Sequence, residues 1–405
     1  MNRERLISIS NSMRGLRHAV LMSSPYPAQP RDDREPIPAG RAWIAAPILR
    51  LADEAQGCAE TPMRELRLPG FPDIRFLFKD ESVHPTGSLK HRLARSLFLY
   101  ALCSGRLRRG QTAIDASSGS TAISEAWFAQ RLSVPFIAVM PRSTAIAKQR
   151  EVAAHGGRCE LVDAAIDPIA RARDLAQRHD ACYLDQFGLA GSATDWRGNN
   201  NIAQSILGQC RERGSGDPNW IVCGAGTGGT SATIGRYLRY SGSAARLCVA
   251  EPSGGAFAVG WRKRDPDAHA TRPTLIEGIG RSRIEPSFLF DVVDEVIEVD
   301  DATSIASALL LEELFGSRYG GSSGTNLAAC LQLGARMRER GERGSVVSLL
   351  CDRGERYDQT LFDASWLAAH GIDAYPALRG LRSCVQDGHW LLPSPISDQL
   401  QSIVE

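Results

Sequence analysis

Lys90 stands in the run Phe78-Lys79-Asp80-Glu81-Ser82-Val83-His84-Pro85-Thr86-Gly87-Ser88-Leu89-Lys90-His91-Arg92. Pro85 and Gly87 dictate a turn, because proline fixes φ and glycine tolerates positive φ. Thr86 and Ser88 offer hydroxyl caps, and the pattern from Leu89 to Leu102 predicts an amphipathic helix. Lys90 therefore falls in the first helical turn, where the helix dipole and the nearby Arg92 disfavour a charged ammonium. A lysine of lowered pKa is suited to Schiff-base chemistry and to proton abstraction. The plain alternative is an ordinary lysine after a capped turn.

Three further loops could carry chemistry. Gly224-Ala225-Gly226-Thr227-Gly228-Gly229-Thr230 follows the predicted strand Trp220–Cys223 and opens a helix over Ser231–Arg239. Unobstructed backbone N–H groups at a helix start make an anion cradle, and a phosphate is its natural guest. The same loop matches GxGxxG, and Glu251 ends the next predicted strand, so a dinucleotide site competes on this loop alone. Ser117-Ser118-Gly119-Ser120-Thr121 follows the predicted strand Thr112–Asp115. Its hydroxyls and free N–H groups suit a carboxylate, or merely cap the helix. Gly320-Gly321-Ser322-Ser323-Gly324-Thr325-Asn326 contains a formal GxSxG. A nucleophile elbow needs a strand before it, whereas Leu309–Phe315 reads as helix.

These loops need a scaffold. Strand-like runs are predicted at Thr112–Asp115, Pro135–Met140, Arg158–Val162, Ala181–Asp185, Trp220–Cys223, Arg246–Ala250, Val293–Val299 and Ser345–Leu350. Helical stretches such as Thr121–Leu132, Ile169–His179, Asn199–Arg213 and Thr303–Leu314 alternate with them. That order predicts an α/β fold with a mainly parallel sheet covered on both faces, with ligands at the C-terminal ends of strands. The periodicity fades from Pro376, which predicts a C-terminal tail. The first forty residues read as a disordered extension, although they are poor in acids up to Asp32, as a transit peptide would be.

A net charge of +1 gives no reason to expect nucleic acid, and no apolar run of membrane-spanning length occurs. The ten cysteines show no CxxC spacing and fit buried thiols in a reducing cytoplasm better than disulfides. The eight histidines form no HxxxH pair and no sequence cluster with cysteine, so no metal site is expected.

Taken together, Thr86–Arg92, Ser117–Thr121 and Gly226–Thr230 resemble the fold-type II pyridoxal 5′-phosphate enzymes of the cysteine synthase and cystathionine β-synthase family. Thr61-Pro62-Met63, Gln186-Phe187, Gly278-Ile279-Gly280, Gly321–Gly324 and Gly354–Tyr357 match in order. The resemblance implies two doubly wound, mainly parallel sheet domains with the active site between them. By it, 43–80 plus 188–375 form a large cofactor domain and 81–187 a small substrate domain. An extension over 1–42 and a tail over 376–405 flank them.

Lys90 resembles the Schiff-base lysine, and Gly226, Thr227, Gly228, Gly229 and Thr230 resemble the phosphate cradle. Ser322, with Ser323 as the alternative, resembles the hydroxyl at the pyridine nitrogen. Ser117, Ser118, Gly119, Thr121, Gln186 and Gly278 match the substrate-binding positions. Ser120 stands where the family carries an asparagine beside the cofactor's 3′-oxygen, which leaves that contact to water or to another group.

FKDES, the Ser-Ser-Gly-Ser-Thr loop, Asp195-Trp196-Arg197-Gly198-Asn199-Asn200-Asn201 and Cys351–Tyr357 are similar to a bacterial branch of L-cysteine desulfhydrases. The resemblance then implies β-elimination on L-cysteine to hydrogen sulfide, pyruvate and ammonia. Replacement on O-acetylserine or a similar activated serine by sulfide, the cysteine synthase reaction, is the alternative. A catalytically weak binding or regulatory protein is a third reading, which an intact Lys90 argues against. A small amino acid as substrate and a cytoplasmic homodimer complete what the likeness implies.

Overall fold

The computed structural model describes residues 39–58 and 60–393; residues 1–38 of the extension expected over 1–42 and the end of the chain, 394–405, lie outside it, and Ala39–Ala42, within that expected extension, is a short helix. Each of the eight predicted strand runs forms a strand whose ends fall within two residues of the expected ones. They divide between two sheets. Ala113–Ala116 (β3), Phe136–Pro141 (β4), Arg158–Val162 (β5) and Cys182–Tyr183 (β6) make an all-parallel sheet in the order β5-β4-β3-β6. Trp220–Gly224 (β7), Arg246–Pro252 (β8), Glu295–Val299 (β9) and Gly344–Leu350 (β10) belong to a six-stranded sheet in the order β1-β2-β10-β7-β8-β9. The central strands are buried along most of their length, as helices on both faces require.

Two strands of that larger sheet had no place among the predicted runs. Met63–Leu66 (β1) and Ile74–Asp80 (β2) pair antiparallel, with Met63 opposite Lys79, and β2 then runs parallel to β10. Burial on β2 extends to Lys79, whose ammonium donates to Thr61 C=O (2.7 Å) and Gln209 Oε1 (3.0 Å). A charge held this way masks a strand that an apolar-run criterion passes over.

The helix Gly321–Glu339 lies deep in the larger half, and its first turns are made of small residues for a packing reason. A Cβ on Gly324 would sit 2.1 Å from Ser304 C=O on the neighbouring helix Asp301–Phe315. Gly324 therefore serves helix–helix contact, and a helix rather than a strand precedes the GxSxG, so no nucleophile elbow forms.

The chain end corrects an expectation. Tyr375–Asp387 is a helix, not a tail, and it buries Ala377, Leu378, Leu381, Cys384 and Val385 in the core shared with Asp301–Phe315. Among the described residues no helix is long and apolar enough to cross a membrane, and all ten cysteines are free thiols.

Candidate active site

Both sheets present the C-terminal ends of parallel strands to one cavity of about 620 Å³, the position open α/β sheets reserve for ligands. Lys90 is the first residue of the helix Lys90–Cys103, whose start is fixed by Lys90 N–H donating to Ser88 Oγ (3.2 Å). Its side chain lines the cavity and is half-buried. Burial lowers the pKa of its amine below the ordinary lysine value, and Arg281 adds to the lowering. Arg92, expected to contribute, turns away instead. Its guanidinium is bidentate on Glu81 (2.6 and 3.0 Å) and also reaches Thr61 Oγ1.

The glycine loop after β7 faces Lys90. A Cβ on Gly226 would meet Gly278 C=O at 2.2 Å and lie 3.8 Å from Lys90 Nζ. Gly228, at φ +82°, has Phe288 N at 2.5 Å from the same hypothetical atom. Neither position accepts a side chain, so the N–H groups before the helix Gly229–Ser241 stay open to the cavity. Gly226, Thr227, Gly228 and Thr230 line it; Gly229 does not, and packs against Ala190 of the helix Gln186–Ala193. The dinucleotide alternative loses its acid. Glu251 is buried, accepts from Phe257 N–H (2.9 Å) and Ala258 N–H, and so caps the helix Ala256–Lys263. Burial pushes its carboxyl up to about 8 despite those donors.

On the opposite wall, Ser117, Ser118, Gly119, Ser120 and Thr121 follow β3 and lead into the helix Ser120–Leu132. Ser117 Oγ accepts from Ala122 N–H (3.2 Å), which makes it the cap of that helix. Gln186 lines the cavity with its amide anchored, Nε2 donating to Ala116 C=O (2.8 Å) and its backbone N–H to Asp115 (3.1 Å). Gly278, at φ +85°, forms the rim. Ser322 reaches the cavity, whereas Ser323 is buried with its Oγ accepting from Cys351 N–H (2.8 Å).

Sequence reading missed the polar residues that tie these walls together. Arg356 donates to Ser120 Oγ (3.2 Å), Thr86 C=O (2.8 Å) and Glu151 (2.9 Å), so one guanidinium joins the serine loop, the Lys90 turn and the helix Ile146–Ala154. The Ser120 hydroxyl is thus held by Arg356 and donates to Asp352 at 3.4 Å. Asp352 also accepts from Tyr357 O–H (2.7 Å), and burial raises its pKa. Lys148 from the smaller half and Glu277 from the larger one form an ion pair across the mouth. The run Gly354-Glu355-Arg356-Tyr357 was the one available signal.

An enclosed amine opposite an anion cradle, beside a second set of donors, defines an α/β enzyme that handles an anionic cofactor and a carboxylate together. The family model described as pyridoxal-phosphate dependent enzyme matches residues 55–352, and the chain belongs to that family. It is 49% identical over 337 residues to an L-cysteine desulfhydrase of Mycobacterium tuberculosis, covering 82% of this chain and 92% of the relative. A cysteine synthase of Aquifex aeolicus is 30% identical, covering 70% of this chain and 83% of the relative. Among solved structures, a hydrogen sulfide-producing enzyme of Fusobacterium nucleatum superposes with a TM-score of 0.70 at 25% identity, covering 78% of this chain and 92% of that one.

Proposed function

We propose that this chain is a carbon–sulfur lyase that removes hydrogen sulfide from L-cysteine and leaves pyruvate and ammonia. The observation that carries the substrate is the 49% identity to the mycobacterial L-cysteine desulfhydrase over most of both chains. The site geometry supports the chemistry. Its donor set fits pyridoxal 5′-phosphate, because a Cβ would fill the cradle at Gly226 and Gly228 while Lys90 keeps a low-pKa amine beside it.

Lys90 would hold the cofactor, with Gly226, Thr227, Gly228 and Thr230 around its phosphate and Ser322 at its ring nitrogen. When bound, the cofactor supplies an electron sink that acidifies the Cα proton and lets a β-substituent leave. The Lys90 amine, whose pKa burial lowers, takes the proton at Cα. Ser118, Thr121 and the N–H groups of the serine loop bind the substrate carboxylate, with Gln186 completing that side. Ser322 places a neutral hydroxyl where a carboxylate would keep a ring nitrogen protonated, which favours loss of the β-substituent.

Replacement by sulfide, as in a cysteine synthase, shares these residues and is the second reading, favoured by the Aquifex relative. The Lys148–Glu277 pair and the Arg356–Glu151 contact govern how far water is kept out, and that decides between the two. A cytoplasmic homodimer completes the proposal, supported by the free buried thiols and by the family; light scattering tests the dimer. The central test is a visible spectrum of the purified protein, followed by L-cysteine with sulfide and pyruvate assayed together. A cofactor band with equimolar release of both supports the lyase. Activity only with O-acetylserine plus sulfide replaces it with the synthase.

A further inference from the structure

Behind the Lys90 turn lies a buried polar cluster that the reaction as described leaves unused. Glu54 belongs to the helix Ala45–Gly57 and precedes the span matched by the family. Its Oε1 accepts from Cys58 Sγ–H (2.7 Å) and from His91 Nε2–H (2.7 Å), and its Oε2 accepts from Arg95 (3.3 Å). His91 is fully buried among His84, Trp127 and Phe128. Its Nδ1 lies 3.2 Å from Thr86 Oγ1, which is 3.0 Å from Ser124 Oγ; that hydroxyl is also 2.8 Å from Ser120 C=O. Burial lowers the pKa of His91, which favours the neutral ring, and in the tautomer that satisfies both contacts Nε2–H donates to Glu54 and Nδ1 accepts from Thr86.

The ligand atoms of Glu54, Cys58 and His91 lie within 4.8 Å of one another, a spacing that a cation could bridge. The structure argues against one. The thiol and the imidazole both donate to a single carboxylate oxygen, and the Arg95 guanidinium already supplies the positive charge. Hydrogen bonding accounts for each of these donors.

We propose that Glu54 and His91 are positioning residues for Lys90, linking the helix Ala45–Gly57 through Thr86 and Ser124 to both the Lys90 turn and the serine loop. The proposal rests on Lys90 being the reactive amine. Consecutive residues of a helix point about 100° apart. Anchoring His91 on the far side therefore fixes the rotation of the first turn and the direction in which Lys90 projects. Thr86 is held at the same time by Arg356, which also reaches Ser120 and Glu151. A slip at His91 thus moves the amine and the carboxylate loop together.

The test is the double variant Glu54→Leu, His91→Phe, which removes the chain without leaving a buried charge or an orphaned imidazole. Glu54→Gln alone is the conservative control. With a normal thermal melt and cofactor content, the double variant is expected to lose roughly ten- to a hundredfold in kcat with little change in KM, as misplacement of a reacting group predicts. Glu54→Gln retains most of kcat, because its carbonyl still accepts. The chain has four lysines, Lys79, Lys90, Lys148 and Lys263, so the Lys90 amine can be followed by NMR of the cofactor-free protein. A shift of its pKa toward that of an exposed lysine is expected in the double variant. An unchanged Lys90 pKa, or kcat unchanged per folded and loaded molecule, overturns the proposal. So does zinc that raises the melting temperature of the parent but not of the double variant. The NMR readout needs no turnover, so an inactive parent enzyme would count against the lyase reading and not against this one.

Discussion

At the scale of single residues, Lys90 carries the most weight, and the sequence showed it through the turn that precedes it. Lys90→Ala should abolish sulfide release, and cofactor added in excess should bind only weakly through the glycine cradle; retained turnover would place the base elsewhere. Burial lowers the Lys90 pKa, and the amine acts when neutral, so kcat should rise with pH through that lowered value. Stopped-flow measurement over a pH series checks where the rise falls. Ser322→Asp puts a charge where the neutral hydroxyl stands and should lower the rate of pyruvate formation at least tenfold, read by a pyruvate assay. Other residues of the site were less legible. Arg356 and Glu277 act across long sequence separations, and no local pattern signals a contact between loops of different halves. The cause assigned to the Lys90 shift also had to change, because Arg92 pairs with Glu81 and burial does the work.

At the scale of elements, the parallel strands were legible because a doubly covered strand is a short apolar run. β2 escaped because Arg75 and Lys79 flank its apolar residues, and β1 because Arg64 and Glu65 fill its middle. The helix Tyr375–Asp387 escaped because the periodicity reads as fading from Pro376, although Leu378, Leu381 and Val385 repeat at helical spacing and proline suits a first helical turn. Leu381 is fully buried there, and Leu381→Ala should cost about 3 kcal/mol in denaturant unfolding.

Between β3 and the helix Ser120–Leu132, Asp115 and Glu125 form a buried pair of carboxyls. Burial pushes Asp115 up to about 6 and Glu125 well above the usual range. The folded chain thus keeps protons that the unfolded chain gives up in the ordinary carboxylate range. This contribution to stability is complete below that range; it falls as pH rises through about 6 for Asp115 and goes on falling above that for Glu125. Glu125→Gln should flatten that fall, as thermal melts across a pH series would show; an unchanged slope would mean the pair is not the source.

At the scale of the whole molecule, the arrangement of the two sheets has a consequence for how the protein is made. The four-stranded sheet draws all its strands from one stretch, Ala113 to Tyr183. The larger sheet does not, since β10 enters between β2 and β7 and is the last strand among the described residues. A chain emerging from the ribosome can therefore complete the smaller sheet long before the larger one. Until residue 350 is free, β2 and β7 each present an unpaired edge, and such edges recruit other chains. The enzyme's most vulnerable moment thus comes late in its own synthesis, with one wall of the active site finished and the other still waiting for its central strand.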